Sequence, residues 1–281
     1  MKKVFQIGIC IIILLMSSFA RGEGSLPRRI VSLSPAVTEM LFELGLGSRV
    51  AGVTDYCFYP DEVDDKLRVG GYLDTNYEAI IFLKPDLVVS PTEYDDEIKK
   101  LFEATEVDFM TVDTRTVEGI LESMMAIGSK CGVEDRAESV VEEKRGEIAA
   151  AGARARRRPS KRIMIVVGRE KGSLEEVYIA GKSTFYNDLL EILNCENVYG
   201  EDGISYPTIS VEAIMRFNPD IIIEMAPNQP EAGTSGVAEE WRSLGTVNAV
   251  RNDDIYVLNG DYVSIPGPRF TLILKDIEGA L

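Results

Sequence analysis

Two glutamates stand at matching places in a stretch that occurs twice. The first copy is Asn76–Val89, NYEAIIFLKPDLVV, and the second is Ser210–Ile223, SVEAIMRFNPDIII. Five of the fourteen positions are identical, among them Glu78/Glu212 and Pro85/Pro219. A carboxylate repeated in this way offers a basic partner two contacts at a fixed spacing. The other side chains with chemistry to offer are tyrosines. Tyr56, Tyr72, Tyr206 and Tyr262 each sit in a loop at a strand or helix end, beside proline, glycine or aspartate. Tyr178, before Ala180-Gly-Lys-Ser, and Tyr59 are further candidates. Such rings bury a large area at small rotamer cost and keep a polar tip wet, which is binding chemistry. Asp261, between Gly260 and Tyr262, is a polar candidate beside them and also reads as a turn residue.

What is missing narrows the classes. The chain has no histidine. That removes Ser-His-Asp and Cys-His catalysis, imidazole acid–base chemistry and His-rich metal sites. No glycine-rich nucleotide loop and no GxSxG or HExxH sequence occurs. An enzyme would have to work with carboxylates alone. Asp95-Asp96 and Asp253-Asp254 read as solvated faces and turns rather than metal ligands. The net charge of −16 and isoelectric point near 4.6 argue against nucleic acid as a partner. Lys2-Lys3, the apolar run Val4–Met16 and Ser18-Phe19-Ala20 predict a secretory signal over residues 1–20. Cys10, inside that run, lacks the setting of a lipid-anchor cysteine. Cys57, Cys131 and Cys195 remain, an odd number without CxxC, so at most one bridge can form.

The elements that must position these residues alternate. Arg29–Leu33 reads as a strand, and Ser34–Gly45 as a helix with proline just inside its start and glycine at its stop. Val50–Val53 is a strand, followed by the irregular Thr54–Gly71. Each copy of the repeat is a short capped helix feeding a buried strand. Asp95–Thr105 and Val117–Lys130 read as helices around the strand Phe109–Val112. Glu134–Arg158, rich in Ala, Glu, Arg and Lys, predicts one helix of about 24 residues, roughly 36 Å long. Its basic end, Arg154–Arg162, reads as cations complementing the helix dipole. Arg162–Val167 then answers Arg29–Leu33 at an offset of 133, against 134 for the repeat. Ser183–Leu193, Glu212–Phe217 and Arg269–Ala280 read as helices, and Asp220–Glu224 and Ile255–Leu258 as strands. Pro227–Gly236 and Asn259–Pro268 read as loops. The fold class is α/β: two similar lobes with mostly parallel sheets, residues 26–133 and 159–281, bridged by one long helix at 134–158. Ligands of open α/β sheets lie outside the carboxyl ends of the strands, so facing lobes enclose a cleft there.

The blocks RIVSLSPAVTE, GVTDYCFYP, NYEAIIFLKPDLVV, YIAGKSTFYNDLLEILNCENVYG, YPTISVEAI and PGPR, in this order, resemble the periplasmic solute-binding proteins that serve importers of cobalamin, iron–siderophores and haem. The similarity covers residues 28–280. It is closest to the cobalamin-binding branch through TDYCFYP and the aromatics Tyr72 and Tyr206 ahead of each repeat, where the relative carries tryptophan. The resemblance implies small hinge motion and a shallow cleft for a large flat ligand. It implies that Tyr56, Tyr72, Tyr206 and Tyr262 line the cleft, and that Asp261 hydrogen-bonds the amides of a corrin. It implies that Glu78 and Glu212 dock on arginines of the two transmembrane subunits of an ABC importer. Arg269 in PGPR is expected to cap or brace the last helix. The expectation is a monomeric extracytoplasmic, periplasmic protein that delivers a corrinoid to a dimeric membrane permease, with no cofactor of its own. A haem or siderophore carrier, a carboxylate-based secreted enzyme and a ligand sensor are the alternatives. For an anionic siderophore, Arg169 is the loop cation available.

Overall fold

The computed structural model describes residues 26–72, 74–91, 100, 102, 105, 107–228 and 231–281. The signal segment, Cys10, Asp95-Asp96 and most of the helix expected at Asp95–Thr105 lie outside them. In the first half, β1 (Ile30–Ser32) leads to α1 (Pro35–Glu43), β2 (Val50–Val53), β3 (Leu67–Arg68), α2 (Tyr77–Phe82), β4 (Leu87–Pro91) and β5 (Asp108–Val112). Two long helices follow, α3 (Val117–Cys131) and α4 (Glu134–Ala155). In the second half come β6 (Arg162–Arg169), β7 (Val177–Ile179), α5 (Phe185–Ile192), β8 (Glu196–Asn197), β9 (Thr208–Ile209), α6 (Val211–Phe217) and β10 (Ile221–Met225). The chain closes with α7 (Glu231–Trp241), α8 (Asn248–Arg251), β11 (Ile255–Leu258) and α9 (Phe270–Gly279).

Each half builds one sheet. The first has five parallel strands in the order β3-β2-β1-β4-β5. The second runs β11-β10-β6-β7-β9, with β8 beside β6. There β11, β10, β6 and β8 are parallel; β7 runs antiparallel to β6 and β9 antiparallel to β7, additions that hydrophobic periodicity did not reveal. The central strands are buried on both faces, as their unbroken aliphatic sequences require.

The caps behave as read. The Ser34 hydroxyl accepts from the Val37 N–H, and Asn76 and Ser210 each accept from the N–H three residues on, in the two copies of the repeat. Thr116 caps α3, which ends on Gly132 in the left-handed region. Three expectations need correction. The segment Thr54–Gly71, read as irregular, contains the short strand β3, which pairs with β2. The segment read as a loop at Pro227–Gly236 becomes helix from Glu231. The bridge α4 stops at Ala155, roughly 33 Å from its start, rather than at Arg158.

α4 is more than a tether. Its basic end is tied to the last helix: Arg154 makes a two-pronged pair with Glu278, and Arg158 Nη1 donates to the Glu278 carbonyl. One buried apolar cluster runs through both lobes. It takes Ile30, Leu41 and Met124 from the first, Ala137 and Val140 from α4, and Leu189, Ile223 and Phe270 from the second. Each lobe adds a smaller cluster on its outer face. The lobes therefore share a core. Cys57, Cys131 and Cys195 are free thiols.

Candidate functional site

The carboxyl ends of β1, β4 and β5 open into a cleft. Ser34, Pro35 and Ala36 begin α1 there, Pro91 ends β4, and Thr114 follows β5. Ser264, Ile265 and Pro266 close it from the other lobe, in the loop between β11 and α9. The space between is an open, shallow cavity of about 250 Å³, lined mostly by apolar atoms. It lies at the sheet edge where α/β folds bind ligands. Sequence reading placed the cleft by that rule, but the small residues of its floor carry no type signal of their own.

Tyr72 stands at this cavity and is 52% exposed. Tyr56 lies beside it: a Cβ on Gly71 would fall 2.8 Å from the Tyr56 ring, so that ring rests on bare glycine backbone. At 62% exposure Tyr56 keeps most of its surface for a ligand. In the other lobe, Tyr206 continues the pairing of β7 with β9. The Ile179 N–H donates to the Pro207 carbonyl and the Gly181 N–H to the Ser205 carbonyl, which sets Tyr206 opposite Ala180. Gly181 is obligatory, because a Cβ there would sit 2.3 Å from the Ile204 carbonyl oxygen. Tyr178 pairs with Thr208, and alternation puts it on the same face of the ribbon as Tyr206. Val177 and Ile179 feed the outer core, whereas Ala180 feeds the core shared between the lobes, so this face is the inner one. Tyr178 and Tyr206 are 45% and 48% exposed. Tyr206 also lies near Tyr186, whose hydroxyl donates to the Val263 carbonyl just before the cleft-lining Ser264. Burial holds that phenol far above its ordinary pKa.

Asp261 and Tyr262 come together with Arg269. The Asp261 carboxylate accepts two hydrogen bonds from Arg269 Nη1 at 2.8 and 3.0 Å. The Tyr262 hydroxyl donates to Asp276 on α9 at 2.7 Å, and burial with that carboxylate pushes the phenol up to about 12. Their loop thus has its polar groups committed, and its cavity wall is made by Ser264–Pro266. Arg269 braces the last helix, as expected, but from its N-terminal side and through a contact with the other lobe. That contact is with Glu39, which sequence reading passed over as one more acidic residue of α1.

Arg169 is not a loop cation. It ends β6, its side chain is 3% exposed, and it is paired with Glu224 and Glu240 beneath the ring of Trp241. Trp241 in turn donates to Glu224 at 2.8 Å. With its charge answered inside the lobe, Arg169 has none to offer an anionic ligand.

Glu78 and Glu212 occupy the second position of α2 and α6 and are exposed. Both helices are crossovers that end by feeding β4 and β10, so their N-termini lie at the carboxyl edge of each sheet. That is the edge carrying the cleft. Neither glutamate is ion-paired among the described residues. Hydrogen bonding from Ser210 lowers the Glu212 pKa, so it is a carboxylate at neutral pH. No cluster of potential metal ligands occurs among the described residues.

Comparison with known proteins gives one consistent result. A sequence family described as periplasmic binding protein matches residues 30–262. The uncharacterized ABC transporter substrate-binding lipoprotein YvrC of Bacillus subtilis is 30% identical over 250 residues, 86% of this chain and 76% of that one. The vitamin B12-binding protein of Salmonella choleraesuis is 26% identical over 259 residues, 90% of each chain. Among solved structures, a possible iron-binding, periplasmic solute-binding protein of Staphylococcus epidermidis superposes with a TM-score of 0.76 at 28% identity, covering 91% of this chain and 99% of that one. The periplasmic vitamin B12 binding protein of Vibrio cholerae superposes with a TM-score of 0.77 at 22% identity, covering 90% and 96%.

Proposed function

Because the chain belongs to the periplasmic binding protein family, in the class that serves ABC importers of cobalamin, iron–siderophores and haem, we propose that it carries a corrinoid such as cobalamin. As a member of that class it is an extracytoplasmic solute-binding protein rather than an enzyme, and its partner is a membrane permease. The ligand reading rests on one observation above others. Tyr72 lines the apolar cleft with Tyr56 resting on its neighbour Gly71, and in the other lobe Tyr178 and Tyr206 are exposed on one face of the β7–β9 ribbon. A flat macrocycle slotted between the lobes would cover those rings while its polar rim stayed wet. Asp261 and Tyr262 serve by anchoring the loop that forms the far wall. The working partition is residues 26–133 and 159–281 as lobes, with 134–158 as the bridge.

Cobalamin brings its own axial base, so the lack of histidine costs this reading nothing. Haem would have to take a phenolate as its iron ligand. An anionic siderophore finds Arg169 already neutralised. Glu78 and Glu212 are proposed as the two docking points on a permease of twofold symmetry, each adding little energy but together fixing register. Equilibrium dialysis of residues 26–281 against cyanocobalamin, haemin and a ferric hydroxamate, read by visible absorbance, tests the ligand. The corrinoid is expected to be retained. Retention of haemin alone would replace the corrinoid with haem.

A further inference from the structure

We infer that Glu39 and Arg269 are positioning residues of the cleft: a buried clasp between the lobes that sets how far apart the tyrosine-bearing walls stand. The clasp joins the middle of α1 in one lobe to the residue that opens α9 in the other. Arg269 Nε donates to Glu39 Oε2 at 3.0 Å and Nη2 to Oε1 at 2.6 Å. The third nitrogen, Nη1, is held by Asp261, so all three are used. The Tyr59 ring covers the guanidinium, its centroid 3.9 Å from Cζ. Side-chain exposure is 2% for Glu39 and 11% for Arg269. A two-pronged pair this dry holds its geometry far more firmly than a surface bridge, because removing either partner strands a buried charge.

The clasp is built into the cleft. The cavity floor is Ser34-Pro35-Ala36, the first turn of the helix that carries Glu39. The facing wall is Ser264-Ile265-Pro266, the residues just before Gly267. Gly267 is where the two segments touch: a Cβ there would lie 3.2 Å from Glu39 Oε2 and 3.3 Å from the Ala36 Cα. Any change in the clasp must move both walls. A second pin crosses the lobes where the Val117 N–H at the start of α3 donates to Asp188 Oδ2 on α5 at 2.7 Å. Neither Val117 nor Asp188 lines the cavity, whereas the clasp joins the helix of its floor to the loop of its facing wall. The inference goes beyond the proposed function and holds whichever macrocycle the cleft takes.

The test is the distance between nitroxide labels on Phe82→Cys and Met215→Cys, exposed positions in the two lobes, in a Cys195→Ser background with the other two thiols buried. Without ligand, the parent should show one narrow distribution. Glu39→Gln and Arg269→Lys should each broaden it and shift it to longer distance while the protein still melts cooperatively. If the binding-competent spacing is then populated about a tenth of the time, the apparent Kd for cyanocobalamin, or for haemin if the parent takes that instead, rises about tenfold. A folded variant whose distribution superimposes on the parent's overturns the inference, whatever its melting temperature. Should neither variant fold, Gly267→Ala, which presses on the same seam with every charge kept, must shift the distribution, and an unshifted one overturns the inference equally.

Discussion

Removal of one tyrosine from each wall tests the ligand site where it is most exposed. Tyr72 is 52% and Tyr206 48% exposed in the free protein. A tyrosine offers about 200 Å² in all, so each has about 100 Å² left for a ligand to cover. At roughly 25 cal/mol per Å² that is about 2.5 kcal/mol per ring if fully covered. A shallow cleft covers only part of it, so Tyr72→Ala or Tyr206→Ala should cost about 1–2 kcal/mol, a rise in Kd of about fivefold to thirtyfold. The two rings belong to different lobes, and the double variant should lose more than either single variant, its departure from the sum measuring the coupling between them. Tyr→Phe at either position keeps the ring and should stay within a factor of about three. Tyr→Trp enlarges it and should tighten binding. Isothermal calorimetry of each variant, with thermal melts to show the fold is unchanged, reads these directly. Refutation would be a Tyr72→Ala, Tyr206→Ala double variant that binds as tightly as the parent.

The remaining expectations concern docking, pH and the buried ion pairs. Glu78→Ala with Glu212→Ala should leave ligand affinity unchanged and weaken binding to the permease in detergent; equal permease binding by the double variant would remove the docking role. Burial raises the Asp188 pKa above its usual value, so the native state binds this proton more tightly than the unfolded chain does. Its contribution to stability is therefore present below the unfolded pKa near 3.8 and lost as pH rises through the folded value. Relative to Asp188→Asn, the parent should gain stability as pH falls from neutrality towards 4, seen in paired melting curves, and a constant difference would contradict the assignment. Arg169→Ala strands Glu224 beside Trp241 and should cost about 3–5 kcal/mol in urea unfolding, with ligand affinity unchanged in the folded protein. A clear loss of affinity there would put Arg169 back at the ligand.

The sequence carried those parts of the fold that repeat or cap. The paired stretches at Asn76 and Ser210, the prolines and glycines around α1, and the unbroken length of α4 were all legible, because each rests on local backbone preference. The β7–β9 ribbon was not. Strands of three and two residues hold no period to detect, and the close backbone approach that extends their pairing depends on Gly181. Helix α7 was hidden by the Pro, Gly and Asn that precede and dilute it. The candidate tyrosines could be picked out by type and neighbours and assigned to a lobe by position. Which of them face the cleft could not, since that follows from strand register and the path of the loops. Arg169 misled for a related reason: a cation next to a glycine looks like a loop residue until Glu224, Glu240 and Trp241, more than fifty positions away, are brought around it. Glu39 and Arg269 are separated by 230 residues, and nothing local marks the bond between them.

The most direct measurement of the central claim is a calorimetric titration of residues 26–281 with cyanocobalamin. One macrocycle per chain, with Kd at or below about a micromolar, or roughly −8 kcal/mol, is the result predicted by the proposed corrinoid carrier. Absence of heat and of any spectral change at high ligand concentration would contradict it.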